Sequence, residues 1–397
     1  MMRSPLDLGF CPTRLAWLAE RVGHAVEARH IPGAVMLLAR DGEIAFERAW
    51  GYRNPADGTP MSSDSVFRLY SMSKPITSVA TMMLVERGVW SLDEPVHTYV
   101  PAFAGLQVGV EVPDPGAPDG RRLMLEPARR DMTLHDLLRH TAGLTYGIFE
   151  TSLVKDAYLA AGVDSRRQTN QQLLERLAKV PLACQPGETW EYSRATDVLG
   201  ALIEQVTGRT LSAFLQEEIF TPLGMADTGF HVPAAQCHRI AEPFANDPDN
   251  GDPIKIADAR TPPTFEAGGS GLVSTAHDYL RFMQMLANGG ALGDVRLLSP
   301  HTVRWMTADH LGTIAHGPHY LPGDGYGFGL GFAVRLADGG AAVSGSAGDY
   351  YWCGLAGTYA WCDPARRLIG LWMMQAPNQR YAYWALARNM TYAALLD

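Results

Sequence analysis

The chain has 397 residues, with 33 Lys and Arg against 42 Asp and Glu and a formal net charge of -9 at pH 7, a balance that argues against a nucleic-acid or anionic-membrane partner. At 47% hydrophobic and 19% charged residues, it can bury a large core or two domains sharing an interface, and it holds no run of about eighteen apolar residues that would span a membrane. Five scattered cysteines without a Cys-x-x-Cys spacing (Cys11, Cys184, Cys237, Cys353, Cys362) read as reduced thiols of a cytoplasmic protein. The first ten residues, with an early Asp7 and no long apolar stretch, do not read as a signal peptide.

In chain order, residues 12–30 have the spacing of an amphipathic helix, with Thr13 as its cap and Leu15, Leu18, Val22 and Val26 as its stripe. Two apolar strands, 33–40 and 43–51, flank Asp41-Gly42, a strong hairpin signal. The stretch 67–90 follows, opening on Ser71-Met72-Ser73-Lys74-Pro75 and continuing as an apolar helix through Ile76, Val79, Ala80, Met83 and Leu84. Pro75 fits a first helical turn, where its missing N–H costs nothing. Ser71 and Lys74, three apart, share a face. The chain has four lysines, Lys74, Lys155, Lys179 and Lys255, so one inside a motif is less easily an accident. A serine among the free N–H groups of a helix start is well placed to carry an oxyanion. Ser71 is therefore a candidate nucleophile and Lys74 its base.

Beyond this helix, 110–130 reads as a Pro/Gly-rich loop with a short ribbon, and 132–143 as a helix capped by Thr133 and stopped by Gly143. Helical patterns follow at 168–179, 195–207 and 210–220, ended by Pro222 and Gly224. Residues 231–264 form a long polar, Pro/Asp-rich irregular stretch suited to bordering a site. A glycine-rich run at 268–275 leads into a helix over 277–288, stopped by Gly289-Gly290. Strand character returns at 329–335, 341–346, 357–362 and 368–375, and a helix over 381–396 closes the chain. The expected fold is α+β: an antiparallel sheet flanked by helices, with a mostly helical inserted domain. The expected boundaries are 1–95 and 298–397 for the two parts of the sheet domain and 96–297 for the insert.

Ser-x-x-Lys occurs a second time, at Ser152 and Lys155, with neither a preceding strand nor a long apolar helix, so Ser152 reads as a surface or cap residue. Tyr192, in Trp190-Glu191-Tyr192-Ser193-Arg194, stands just before a helix; most such tyrosines are ring anchors of a core. Trp352-Cys353-Gly354-Leu355 is a glycine-containing strand edge, where small residues let the backbone approach a bound carbonyl. An α/β-hydrolase nucleophile elbow requires Gly-x-Ser-x-Gly; the nearest stretch, Gly268-Gly269-Ser270-Gly271-Leu272, lacks the last glycine. His135, His140 and His277 have no ligand-like spacing, and neither metal nor cofactor is expected.

Together these segments resemble the serine β-lactamase/penicillin-binding-protein superfamily, class C-like, and within it the family VIII carboxylesterases. The resemblance runs from about Ile31 to Gln375. It rests on Ser71-Met-Ser-Lys74, on Tyr192-Ser193-Arg194 as the tyrosine box, and on Trp352-Cys353-Gly354 as the third box. The 136–144 and 268–275 stretches match further family segments. The resemblance implies Ser71, Lys74 and Tyr192 as catalytic residues, the N–H groups of Ser71 and Leu355 as the oxyanion hole, and Trp352, Cys353, Gly354 and Arg194 around the substrate. It implies Lys74, Tyr192 or the pair sharing a proton as the base, with Tyr192 beside Lys74 stabilised as a phenolate. Arg194 replaces an asparagine and Trp352 a cation of the lactamases; losing that cation removes the partner of an anionic drug. The resemblance thus implies hydrolysis of a small-molecule carboxylic ester, short-chain acyl esters foremost. The alternatives are a β-lactamase, an amidase of D-aminopeptidase type, an acyltransferase, or a non-catalytic β-lactam-binding sensor.

Overall fold

The computed structural model describes residues 3–149, 151–317 and 319–396. It is organised on an eight-stranded sheet of β1 Gly33–Arg40, β2 Glu43–Asn54, β3 Thr59–Pro60, β4 Tyr326–Phe328, β5 Ala333–Arg335, β6 Tyr350–Cys353, β7 Tyr359–Asp363 and β8 Leu368–Met374. In space the order is β4-β5-β6-β7-β8-β1-β2-β3, and every neighbouring pair is antiparallel. The two ends of the chain meet at the centre, where β1 pairs with β8 from Ala34↔Met374 to Arg40↔Leu368. The hairpin between β1 and β2 turns at Asp41 and Gly42, both at positive φ (53° and 79°), as a two-residue type I′ turn requires.

β1 and β8 are buried at every position, the mark of strands covered on both faces. On one face Val35, Leu37, Ala39, Ile369, Leu371 and Met373 join the core that contains the Ser73–Glu86 helix. On the other, Ala34, Met36, Leu38, Leu368, Trp372 and Met374 pack with Leu15, Leu18 and Val22 of the Pro12–Glu27 helix and with Tyr383 and Ala387 of the Arg380–Ala394 helix. Alternation along each strand divides one apolar run between two cores; truncating a side chain such as Leu37 to alanine costs about 2–5 kcal/mol.

Several sequence expectations change in the structure. The first helix has Cys11, not Thr13, at its N-cap, with Pro12 opening it and no side-chain cap bond. The 110–130 loop is a regular hairpin, Gln107–Pro113 against Arg121–Pro127. The helix under Thr133 spans only Leu134–Leu138, inside a capping box with Asp136; His140 at φ 60° ends it, well before Gly143. Residues 341–346 are irregular: Gly345 lies against the buried Arg335, Asp349 and Arg388 side chains, and the ladder resumes at Tyr350. Ser152 caps a helix the sequence did not disclose, Leu153–Ala160. The helices Asn170–Leu177, Ala195–Thr207 and Ala276–Ala287 fall where the periodicity put them. Among the described residues no helix is long and apolar enough to cross a membrane.

Candidate active site

Ser71 lies in a 3₁₀ turn, Tyr70–Met72, immediately before the Ser73–Glu86 helix. Neighbouring chain fixes this turn. The Phe67–Arg68 strand pairs with Val273–Ser274, the Leu69 N–H donates to the Leu272 carbonyl (2.9 Å), and the Tyr279 hydroxyl donates to the Met72 carbonyl (2.9 Å). Tyr70 takes φ 48°, a region non-glycine residues enter only when their surroundings impose it; its hydroxyl accepts the Ala257 N–H (2.8 Å).

Lys74, one residue into the helix, is 1% exposed. Its Nζ contacts Ser71 Oγ (3.3 Å), the Tyr146 hydroxyl (3.1 Å) and the Gly269 carbonyl (2.9 Å). Burial drives the amine down to about 7; Asp197 opposes that and Arg194 adds to it. A lysine held there is substantially neutral at physiological pH, with a lone pair available for the Ser71 proton.

Tyr192 reaches the same place from the segment preceding the Ala195–Thr207 helix. Its ring lies 4.6 Å from Lys74 Nζ, stacks on Trp190 (5.9 Å between centroids) and meets His140 at 5.0 Å and Trp352 at 5.6 Å. Burial pushes its phenol well above the ordinary range, and the hydroxyl's contacts with Ser71 and Trp352 only partly offset this. The expected phenolate is therefore not favoured: Lys74 faces the Tyr192 ring, and its hydrogen bond goes to Tyr146.

Tyr146 is the residue the sequence reading passed over. It stands two residues beyond the 136–144 stretch, in Gly143-Leu144-Thr145-Tyr146, and adjacency to a recognised segment was its only signal. Its ring packs on Tyr192 (5.3 Å) and under the Arg194 guanidinium (4.7 Å). Arg194 is committed to Asp164 and to Asp197 (3.2 Å), so it lines the cavity but braces the site rather than offering a free cation. Asp197 also accepts the Gly269 N–H (2.8 Å), which aims the Gly269 carbonyl at Lys74.

A cavity of about 570 Å³ opens over Ser71, Tyr146, Tyr192 and Arg194, with Leu355 on its wall. Trp352, Cys353 and Gly354 do not line it, against expectation. Trp352 is 2% exposed, within an aromatic cluster with Tyr146, Trp190, Tyr192 and Phe328, where a large ring gains most from burial. Cys353 lies inside the strand edge, where burial pushes its thiol up to about 12. Gly354 has a different task. A Cβ there would stand 2.1 Å from the Leu69 carbonyl and 2.3 Å from Thr358 Oγ1, so only glycine docks β6 against the backbone leading into Ser71. Among the described residues, neither the Ser71 nor the Leu355 N–H donates to a backbone carbonyl. The three histidines are structural: His135 meets His310, His140 meets Ser193 and His277 meets Glu47. No cluster of His, Cys, Asp or Glu able to hold a metal ion occurs among the described residues.

Sheet, helices and a serine–lysine pair at their junction define a β-lactamase-like fold. The chain belongs to the β-lactamase family, whose model matches residues 18–389. It is 34% identical to Protein Rv1367c of Mycobacterium tuberculosis, over 88% of this chain and 87% of that one. It is 33% identical to Esterase EstB of Burkholderia gladioli, over 90% and 88% of the two chains. Among solved structures it superposes on EstCE1, described as a hydrolase with promiscuous acyltransferase activity, with a TM-score of 0.78 at 27% identity, covering 96% of this chain and 99% of the other.

Proposed function

We propose that the protein is a serine carboxylesterase, of the kind grouped as family VIII, that cleaves short-chain acyl esters through an acyl-enzyme on Ser71. The observation that carries this is a buried Lys74, lowered to about 7, with Nζ 3.3 Å from Ser71 Oγ beneath the cavity. Neutral Lys74 takes the Ser71 proton as Oγ attacks the ester carbonyl. The N–H groups of Ser71 and Leu355 receive the oxyanion. Collapse breaks the acyl–alkoxy bond, and the departing alkoxide takes the proton that Lys74 received from Ser71, with the Tyr192 hydroxyl beside Ser71 completing the pair. Water then attacks the acyl-enzyme, losing its proton to the same pair and returning the carboxylic acid and free Ser71. Likeness to EstB and EstCE1 supports ester chemistry. Arg194 is held by Asp164 and Asp197 and Trp352 is turned into the aromatic cluster, so neither of these two motif positions offers a cation to a β-lactam carboxylate.

A second reading, acyl transfer to an alcohol, is supported by the acyltransferase activity attributed to EstCE1 and by a cavity of about 570 Å³, roomy enough for an acceptor beside the acyl group. A cytoplasmic location belongs to this proposal and rests on five free thiols. The test compares p-nitrophenyl butyrate with a chromogenic cephalosporin, each with and without added alcohol. Butyrate turnover is expected to dominate; cephalosporin turnover above it overturns the esterase reading, and product ester in place of acid selects transfer.

A further inference from the structure

The cavity wall is mostly apolar, with Ile148, Phe149, Phe230, Phe265, Leu272 and Leu355 among its residues, yet four arginines and two aspartates also face it. Most of these charges are already answered. Arg68 pairs with Glu242 (3.1 Å) and donates to the Ala241 carbonyl (2.8 Å). Arg194 pairs with Asp164 and Asp197. Asp258 stands 3.7 Å from Arg260, outside the cavity lining. Arg166 and Arg167 differ: both are exposed, and among the described residues neither guanidinium has a carboxylate within ion-pair distance. Arg166 lies over the ring of Tyr70 (5.7 Å), the residue before Ser71, and its charge acts on Tyr146. In a chain of net charge -9, the unanswered charge at the mouth of this cavity is positive and close to the nucleophile.

We propose that Arg166 and Arg167 form an anion subsite, and that the preferred esters carry a carboxylate, beyond an apolar spacer, on the arm that reaches it. This rests on the ester-hydrolase reading and narrows its substrate class. A guanidinium presents parallel N–H donors that fit a carboxylate bidentately, and flanking apolar walls strengthen the pair by excluding water. The subsite is separate from the Trp352 position, at which the sequence lacks a cation.

The test uses matched ester pairs. Mono-p-nitrophenyl glutarate and adipate against p-nitrophenyl pentanoate place the charge on the acyl arm. 4-Carboxyphenyl butyrate against phenyl butyrate places it on the alkoxy arm. On one arm, kcat/KM is expected to favour the anionic ester about tenfold or more at low salt, as one charge-assisted hydrogen-bond pair supplies. That ratio falls toward unity in R166Q/R167Q, survives in R166K/R167K and shrinks at 0.5 M NaCl, roughly where the Debye length drops to a few ångströms. A neutral-ester preference on both arms, or a ratio unmoved in R166Q/R167Q, overturns the subsite while leaving the hydrolase standing. If no ester turns over, the hydrolase reading fails by itself. Calorimetric binding of the monoanilide of glutaric acid against pentananilide then decides the subsite by the same ratio and the same variants.

Discussion

The chain contains Ser-x-x-Lys twice, and the two copies have opposite fates. Ser71 and Lys74 meet at 3.3 Å under an open cavity. At Ser152, Oγ is occupied as a helix cap, accepting the Lys155 N–H (3.1 Å). Both lysines are buried, 1% and 6% exposed, so burial does not separate them. Their partners do. Lys155 Nζ lies 3.5 Å from the Glu191 carboxylate, which also accepts the Thr145 hydroxyl (2.5 Å). Lys74 contacts two hydroxyls and a carbonyl, and the nearest influential acid, Asp197, is engaged by Arg194. Spacing brings a serine and a lysine together in both copies; the groups around the lysine, a carboxylate in one and hydroxyls and a carbonyl in the other, set them apart. The copies are also physically linked, because Glu191 precedes Tyr192 and Thr145 precedes Tyr146. The Lys155 ion pair thereby ties together the two segments that bring tyrosines to Lys74.

The largest contrast is expected in turnover. Ser71→Ala and Lys74→Met should each lower butyrate ester hydrolysis by about ten-thousand-fold, the scale on which removing a nucleophile or its base acts. Ser152→Ala should stay within about twofold of wild type, as for a surface substitution away from chemistry. Intact mass after a fluorophosphonate should show one adduct in wild type and in Ser152→Ala and none in Ser71→Ala. An adduct persisting without Ser71 would remove it from the mechanism.

A smaller effect concerns the proton. With Lys74 at about 7, activity needs the deprotonated amine, so kcat/KM should rise with pH through a limb near 7 and level off above it. Tyr146→Phe removes a hydroxyl that accepts from the Lys74 amine at 3.1 Å, and a lost acceptor disfavours the charged form. The limb should therefore move to lower pH, with kcat reduced about tenfold to a hundredfold. A limb that stays in place would mean the Lys74–Tyr146 contact has no part in setting the base.

Much of this contrast was legible in the sequence. The alternating apolar strands at each end of the chain and the Asp41-Gly42 turn disclosed the split sheet, because period and turn chemistry are local. The first Ser-x-x-Lys stood out because an apolar helix follows it. Tyr146 was not legible: no motif of its own marks it, and its role arises from meeting Lys74 across 72 positions. Arg194 lines the cavity as its motif position implies, but its engagement by Asp164 and Asp197 depends on residues that no local pattern links to it. The motif position of Trp352 implies a place in the pocket, whereas strand geometry turns its ring into the aromatic cluster and leaves the cavity wall to Leu355.

The smallest expected effect belongs to the second copy. Ser152 has extended backbone (φ -153°, ψ 158°), and its side chain satisfies the N–H of Lys155, one of the first-turn donors of Leu153–Ala160 without a helical acceptor. Alanine there should cost about 1 kcal/mol, within the usual range of 0.5–2 for a lost cap. The readout is the urea midpoint, which should fall with an unchanged slope, since a lost cap alters stability without altering the surface exposed on unfolding. The helix also carries Lys155 toward Glu191, so the same measurement tests how the copies are coupled. If Ser152→Ala lowers stability while leaving the pH limb of the first copy in place, the cap supports the fold and the ion pair alone sets the tyrosines. A limb that shifts in Ser152→Ala would show that fraying at this helix end reaches Tyr146 through Glu191 and Thr145, and the two copies would then act as one device.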